Sequence, residues 1–230
     1  MDAFISRRRK YYPVPAPLPF YTPGEEIAHA VLHGLGSLLA AGGLILMVLR
    51  ARGLWGGGES GPKALIAYTV FTAAMIALFL VSTLYHAIQH EGAKRVFQIL
   101  DHSAIYLFIA GTYTPFCFLV IKGVPGWILF GFEWGLALLG IILHCFNRKT
   151  FSKVELGLYV LMGWAIAAPW FHISELLPLY SLILLAAGGA AYTLGIYWYC
   201  KKNRRGAHAV WHAFVLLGAF CHWWSVWLLK

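Results

Sequence analysis

Two histidine pairs at a four-residue spacing, His29/His33 in HAVLH and His208/His212 in HAVWH, carry the right groups for metal chemistry in this 230-residue chain. Residues four apart share one face of a helix, so each pair can present two imidazoles to one ion. A third imidazole comes from STLYH, where Ser82 and His86 are one turn apart and His90 follows a turn later. The stretch FQILDHSAIYL adds a carboxylate, Asp101. Three imidazoles with an open fourth position are the arrangement of catalytic zinc, whereas carboxylate-rich ligation would favour magnesium or calcium. Zinc lowers the pKa of coordinated water toward neutrality, and Asp101 and Ser82 near the open position would orient that water. On spacing alone the two HxxxH pairs compete as chelators, and both also read as hydrogen-bonded packing residues without a metal.

Membrane helices have to position these groups. Hydrophobic residues make up 60% of the chain and charged residues 12%, outside the range of soluble globular domains. The apolar runs do not alternate, and each approaches the roughly 20 residues that a helix needs to cross a bilayer core. Seven spans are predicted, over residues 27–50, 64–90, 99–122, 126–146, 155–175, 177–200 and 207–229. The predicted fold is an all-α integral membrane protein, a seven-transmembrane-helix bundle over residues 25–230 behind a basic, Pro-rich segment over 1–24. Short loops make sequential helices neighbours. Within TPGEE, acidic residues at a helix start suit the helix dipole, and GLWGGGESGP reads as a flexible outer loop. The first twenty residues contain no apolar core of their own, so the first span is not read as a signal peptide.

With seven spans, 13 of the 18 Lys and Arg fall on the side of the N-terminal tail: Arg7 to Lys10, Lys94, Arg95, Arg148, Lys149, Lys153, Lys201, Lys202, Arg204 and Arg205. This asymmetry predicts a cytoplasmic N-terminus and an extracytoplasmic C-terminus in a bacterial-type plasma membrane. It also accounts for the net charge of +9 as topology and attraction to anionic lipid headgroups at the cytoplasmic face, with no need for nucleic acid. Ser82, His86, Asp101, His208 and His212, and with them His29 and His33, then fall at one depth in the cytoplasmic half. His222 is about 15 Å further along its helix than His212 at 1.5 Å per residue, outside any shared ligand shell, and is expected to pack with a hydrogen bond. His144 and His172 read as packing or interfacial residues, and His90 and His102 as outer donors or packing residues. Cys117, Cys145, Cys200 and Cys221 are scattered singly and read as small apolar fillers. Gly34, Gly36, Gly188, Gly189 and Gly195 are expected where helices approach closely.

EEIAHAVLHGLG, STLYH, LDHSAIYLFIAGTYTPF and HAVWHAFVLLGAFCHWW, in that order, resemble the hemolysin III branch of the progestin and adipoQ receptor family over nearly the whole chain. The resemblance implies seven helices with the N-terminus cytoplasmic, opposite to G-protein-coupled receptors. It implies zinc held by one histidine of SxxxH on the second span and two of HxxxH on the last. These are His86, His208 and His212 here, with Asp101 and Ser82 matching the family's aspartate and serine. The tie between the pairs is thereby broken, and His29 and His33 are left in supporting roles. His29 stands where relatives are expected to carry a smaller polar residue such as Asn. The ceramidase-like activity of the family's receptor members implies zinc-dependent hydrolysis of a lipid amide or ester, with a ceramide-like or other acyl lipid as substrate. A non-enzymatic sensor or regulator of membrane lipid with structural zinc is the competing class, and a pore-forming haemolysin the third. HxxxH lacks the glutamate of the HExxH signature, so no general base is supplied within the motif. Against the pore, no amphipathic segment stands ready to insert. The short outer loops carry no module for a protein hormone.

Overall fold

The computed structural model describes residues 18–146, 152–201 and 204–230, and every regular element among them is helical. The tail from Arg7 to Lys10, together with Arg148, Lys149 and Lys202, lies outside the described residues. Helix α1 runs Pro23–Ala51, α2 Pro62–Ala87 and α3 Glu91–Pro115, continuing as a π-helical segment over Phe116–Ile121. Then follow α4 (Gly123–Phe146), α5 (Ser152–Trp164), α6 (Trp170–Leu176), α7 (Leu179–Tyr199) and α8 (Ala207–Trp227). Among the described residues six spans pass as continuous helices, and the number is seven where α5 and α6, bent by 54°, are counted as one span. The chain is an integral, multi-pass membrane protein. Leu38, Leu138 and Leu194 are exposed along the outer faces of their spans, which suits lipid.

Local chemistry explains where the helix ends depart from the apolar runs. α1 starts at Pro23, four residues before the predicted 27, because Thr22 and Glu25 form a capping box. The Thr22 hydroxyl accepts from the Glu25 amide at 3.3 Å, and the Thr22 amide donates to Glu25 Oε2 at 2.9 Å. α2 stops at Ala87, short of the predicted 90, and His90 caps the next helix by accepting from the Ala93 amide at 3.2 Å. α3 therefore begins eight residues before the predicted 99. The turns over 91–98 are polar, and hydropathy alone does not register them.

The predicted span 155–175 breaks at Pro169, which offers no amide hydrogen and clashes with the preceding turn. A side chain of α3 repairs the break. The Tyr113 hydroxyl donates to the Met162 carbonyl at 2.7 Å and accepts from the Ile166 amide at 2.9 Å. Backbone groups freed inside a membrane need such partners. α3 is the central helix, with 72% of its apolar window buried against 22–44% in the other five continuous spans.

Helices close on one another where glycine removes a side chain. A Cβ added at Gly188 of α7 would lie 2.2 Å from His222, and one at Gly36 of α1 would lie 2.9 Å from Leu216. Gly195 is equally tight against Trp211 and Phe214, whereas Gly189 has open space and Gly34 ordinary contact. The first and last long helices, α1 and α8, pack side by side. Glu25 Oε1 accepts from the Gly206 amide at 2.9 Å, which joins the start of α1 to the start of α8. At this end of the bundle also lie the C-terminal end of α2 and the N-terminal end of α3.

Candidate metal centre

Four imidazoles converge at that end. One ring nitrogen from each of His29 (α1), His86 (α2), His208 and His212 (α8) lies within 4.8 Å of all the others. Ring centroids are 4.5 Å apart for His29 and His86, 4.4 Å for His208 and His212, and 5.1 Å for His86 and His212. Both nitrogens of His29 and Nε2 of His86, His208 and His212 have no hydrogen-bond partner although they are buried. Buried polar atoms without partners are costly, and so many on convergent rings fit a metal ion better than they fit packing.

The second nitrogens of two of these rings are engaged. His86 Nδ1 donates to Glu26 Oε2 at 2.6 Å, and Glu26 is fixed in turn by Lys94 Nζ at 2.7 Å. His212 Nδ1 is hydrogen-bonded to His33 Nε2 at 2.6 Å. A carboxylate or similar partner on the far nitrogen orients a ligand ring and raises its basicity. Tyr21 closes the outer side of the cluster, stacked on His208 at 5.1 Å and edge-on to His29 at 4.9 Å. Burial, and after it the Glu26 carboxylate, raises the Tyr21 phenol above the ordinary tyrosine range, so it stays a neutral hydroxyl.

His208 and His212 form part of the wall of a cavity of about 820 Å³. Ser82 and Asp101 line the same cavity, and the Ser82 hydroxyl is buried without a partner. The cavity continues past Leu78, Ile105 and Phe108 to His222. Val160, Gly163 and Trp164 of α5 and Thr193 of α7 are exposed and also line it, so it opens sideways between these helices.

Of the five residues singled out by sequence, the structure groups His86, His208 and His212 and sets Ser82 and Asp101 on the cavity wall beside them. It adds His29 as a fourth imidazole, and it adds Glu26, Lys94 and Tyr21, none of which the sequence analysis assigned to the site. The spacing of Glu26, His29 and His33 at i, i+3 and i+7 puts all three on one face of α1, a signal that was present in EEIAHAVLH. His222 lies beyond the cluster and hydrogen-bonds the Leu185 carbonyl at 3.2 Å. His102 and His144 stack at 5.1 Å in a separate group where His144 is bonded to Glu155. His172 is exposed, and the four cysteines are free.

Residues 21–223 match the model of the family described as Haemolysin-III related. Hemolysin-3 of Bacillus cereus is 40% identical over 195 residues, 85% of this chain and 87% of that protein. The Hemolysin-3 homolog of Bacillus subtilis (strain 168) is 38% identical over 205 residues, 86% and 91% of the two chains. The monocyte to macrophage differentiation factor of Homo sapiens is 29% identical over 164 residues, 69% and 68% of the two chains.

Proposed function

From the premise that the chain belongs to the haemolysin III-related family, we propose that it is a zinc-dependent hydrolase of a lipid amide or ester, with its site at the cytoplasmic end of the bundle. One observation carries this reading: four imidazoles with unpartnered nitrogens cluster together, and two of them, His208 and His212, line a largely apolar cavity that holds Ser82 and Asp101 and opens sideways between α5 and α7. His86, His208 and His212 would hold the ion. Bound zinc would supply Lewis acidity, polarising a carbonyl and acidifying water.

The chain's own groups supply the rest. Glu26 and His33 fix the rings of His86 and His212 from behind. Leu78, Ile105 and Phe108 receive an acyl chain and keep bulk water from it. The Asp101 carboxylate positions the attacking water, accepts its proton and returns it to the leaving amine or alcohol as the acyl C–N or C–O bond breaks, and the Ser82 hydroxyl donates to the substrate's polar group. Elemental analysis of the purified protein tests the metal, with about one zinc per chain expected from three or four imidazoles. Wild type without zinc, or zinc unchanged in both His86→Ala and His208→Ala, sinks the site. Fatty-acid release from ceramide-like amides and acyl esters then tests turnover, and equal release by wild type and Asp101→Ala removes the hydrolase.

A second reading draws on His29. Four imidazoles can close a tetrahedral shell, which is the form of structural zinc, and the protein would then be a sensor or regulator of membrane lipid. His29→Ala separates the two. Retained zinc with persisting turnover belongs to the hydrolase, and lost zinc with no turnover in wild type belongs to the regulator.

A further inference from the structure

The wall of the 820 Å³ cavity is ordered along α8. Arg204 and Arg205 stand just before the helix, His208 and His212 follow in its first turns, and Val215 and His222 continue inward, all lining one space. From Arg205 to His222 is about 25 Å at 1.5 Å per residue. Both arginines are exposed, so the cavity opens at them as well as between α5 and α7. Neither forms an ion pair among the described residues, and Arg204 rests over the Trp198 ring at 5.3 Å. Glu25, the carboxylate on that wall that reaches the residue after Arg205, is already engaged by Thr22 and by the Gly206 amide. The other acid, Asp101, is deeper, on α3.

The wall therefore runs from unpaired cation to polar groups to apolar lining. That is the order of an amphiphile with an anionic head, a polar linkage and an acyl chain. We infer that the cavity selects a long-chain amphiphile whose head is an anionic oxyacid, phosphate or carboxylate, held by Arg204 and Arg205. The arginine fork matches such oxygens in pairs. The linkage next to the head would then lie level with His208, Ser82 and Asp101. This assignment rests on the proposed hydrolytic site for its meaning, but not for its test, because a neutral ceramide-like head would offer the two guanidinium groups no opposite charge.

The test is binding without turnover. Purified protein in detergent, metal-stripped and metal-loaded, is titrated with oleoyl lysophosphatidic acid and with neutral oleoyl glycerol, using tryptophan fluorescence. The anionic probe is expected to bind about tenfold more tightly, the worth of one charge-assisted hydrogen bond. Arg204→Ala/Arg205→Ala should bring the two probes within about twofold, and the Lys/Lys variant should keep most of the preference. Inorganic phosphate is the control arm. Weak displacement by phosphate shows that head and chain are recognised together, whereas full displacement at matched concentration reduces the site to a free-phosphate site and overturns the amphiphile. Equal binding of both probes to wild type, or an unchanged preference in the Ala variant, also overturns it. If the preference holds while no substrate is hydrolysed, the hydrolase falls and this assignment stands. If neutral amides are hydrolysed with no preference for anions, the outcome is the reverse.

Discussion

At the scale of single residues, the imidazole cluster is braced by groups that lie outside it. Glu26 ties His86 to Lys94, so Glu26→Gln keeps every imidazole and loses a charged orienting partner. Zinc affinity is expected to fall about 10- to 100-fold, read by competition with a fluorescent chelator. His33→Phe should act on His212 in the same direction, since it removes the 2.6 Å bond on that ring's far side. The five residues stood out in the sequence because imidazole, carboxylate and hydroxyl are rare inside spans and costly there, and the structure gathers three of them, His86, His208 and His212, into the cluster. Glu26 did not stand out. An acid in the first turn of a helix has a sufficient explanation in the helix dipole, and that explanation hid its place on the same face as His29. His29 was legible as a ligand type, and only its distance to His86 and His208 reveals its position.

Elements were legible in number more than in outline. Hydropathy finds the apolar middle of each span, but their ends depend on caps: Thr22 with Glu25 before α1, and His90 before α3. The bend between α5 and α6 depends on Tyr113, which serves carbonyl and amide groups at Met162 and Ile166. Tyr113→Phe leaves the Ile166 amide unsatisfied, and a loss of about 1–3 kcal/mol is expected in thermal or denaturant unfolding in detergent. Gly188→Ala drives a methyl group against the His222 ring, 2.2 Å from its nearest atom, and overpacking of this kind costs about 1–3 kcal/mol. Gly189→Ala, with open space at the adjacent position, should cost far less and serves as the control.

Across the whole molecule, the ion would join α2 to α8, with His29 of α1 packed against it, so its removal should be felt globally. At free zinc 1,000-fold above the dissociation constant, binding adds about 4 kcal/mol to stability. Chelation is therefore expected to lower the unfolding temperature by several degrees, and His86→Ala should abolish the difference between stripped and loaded protein. Loop alternation and charge bias made a common depth for these groups legible before any coordinates, but not the adjacency of α1 and α8, which are separated by the entire chain. That adjacency has a consequence in time. Ribosomes deliver helices in order, so α1 and α2 reach the membrane with His29 and His86 long before His208 and His212 are made. Until the last helix is inserted the nascent protein holds only two of the four clustered imidazoles, so the cluster is complete only once the last helix has met the first.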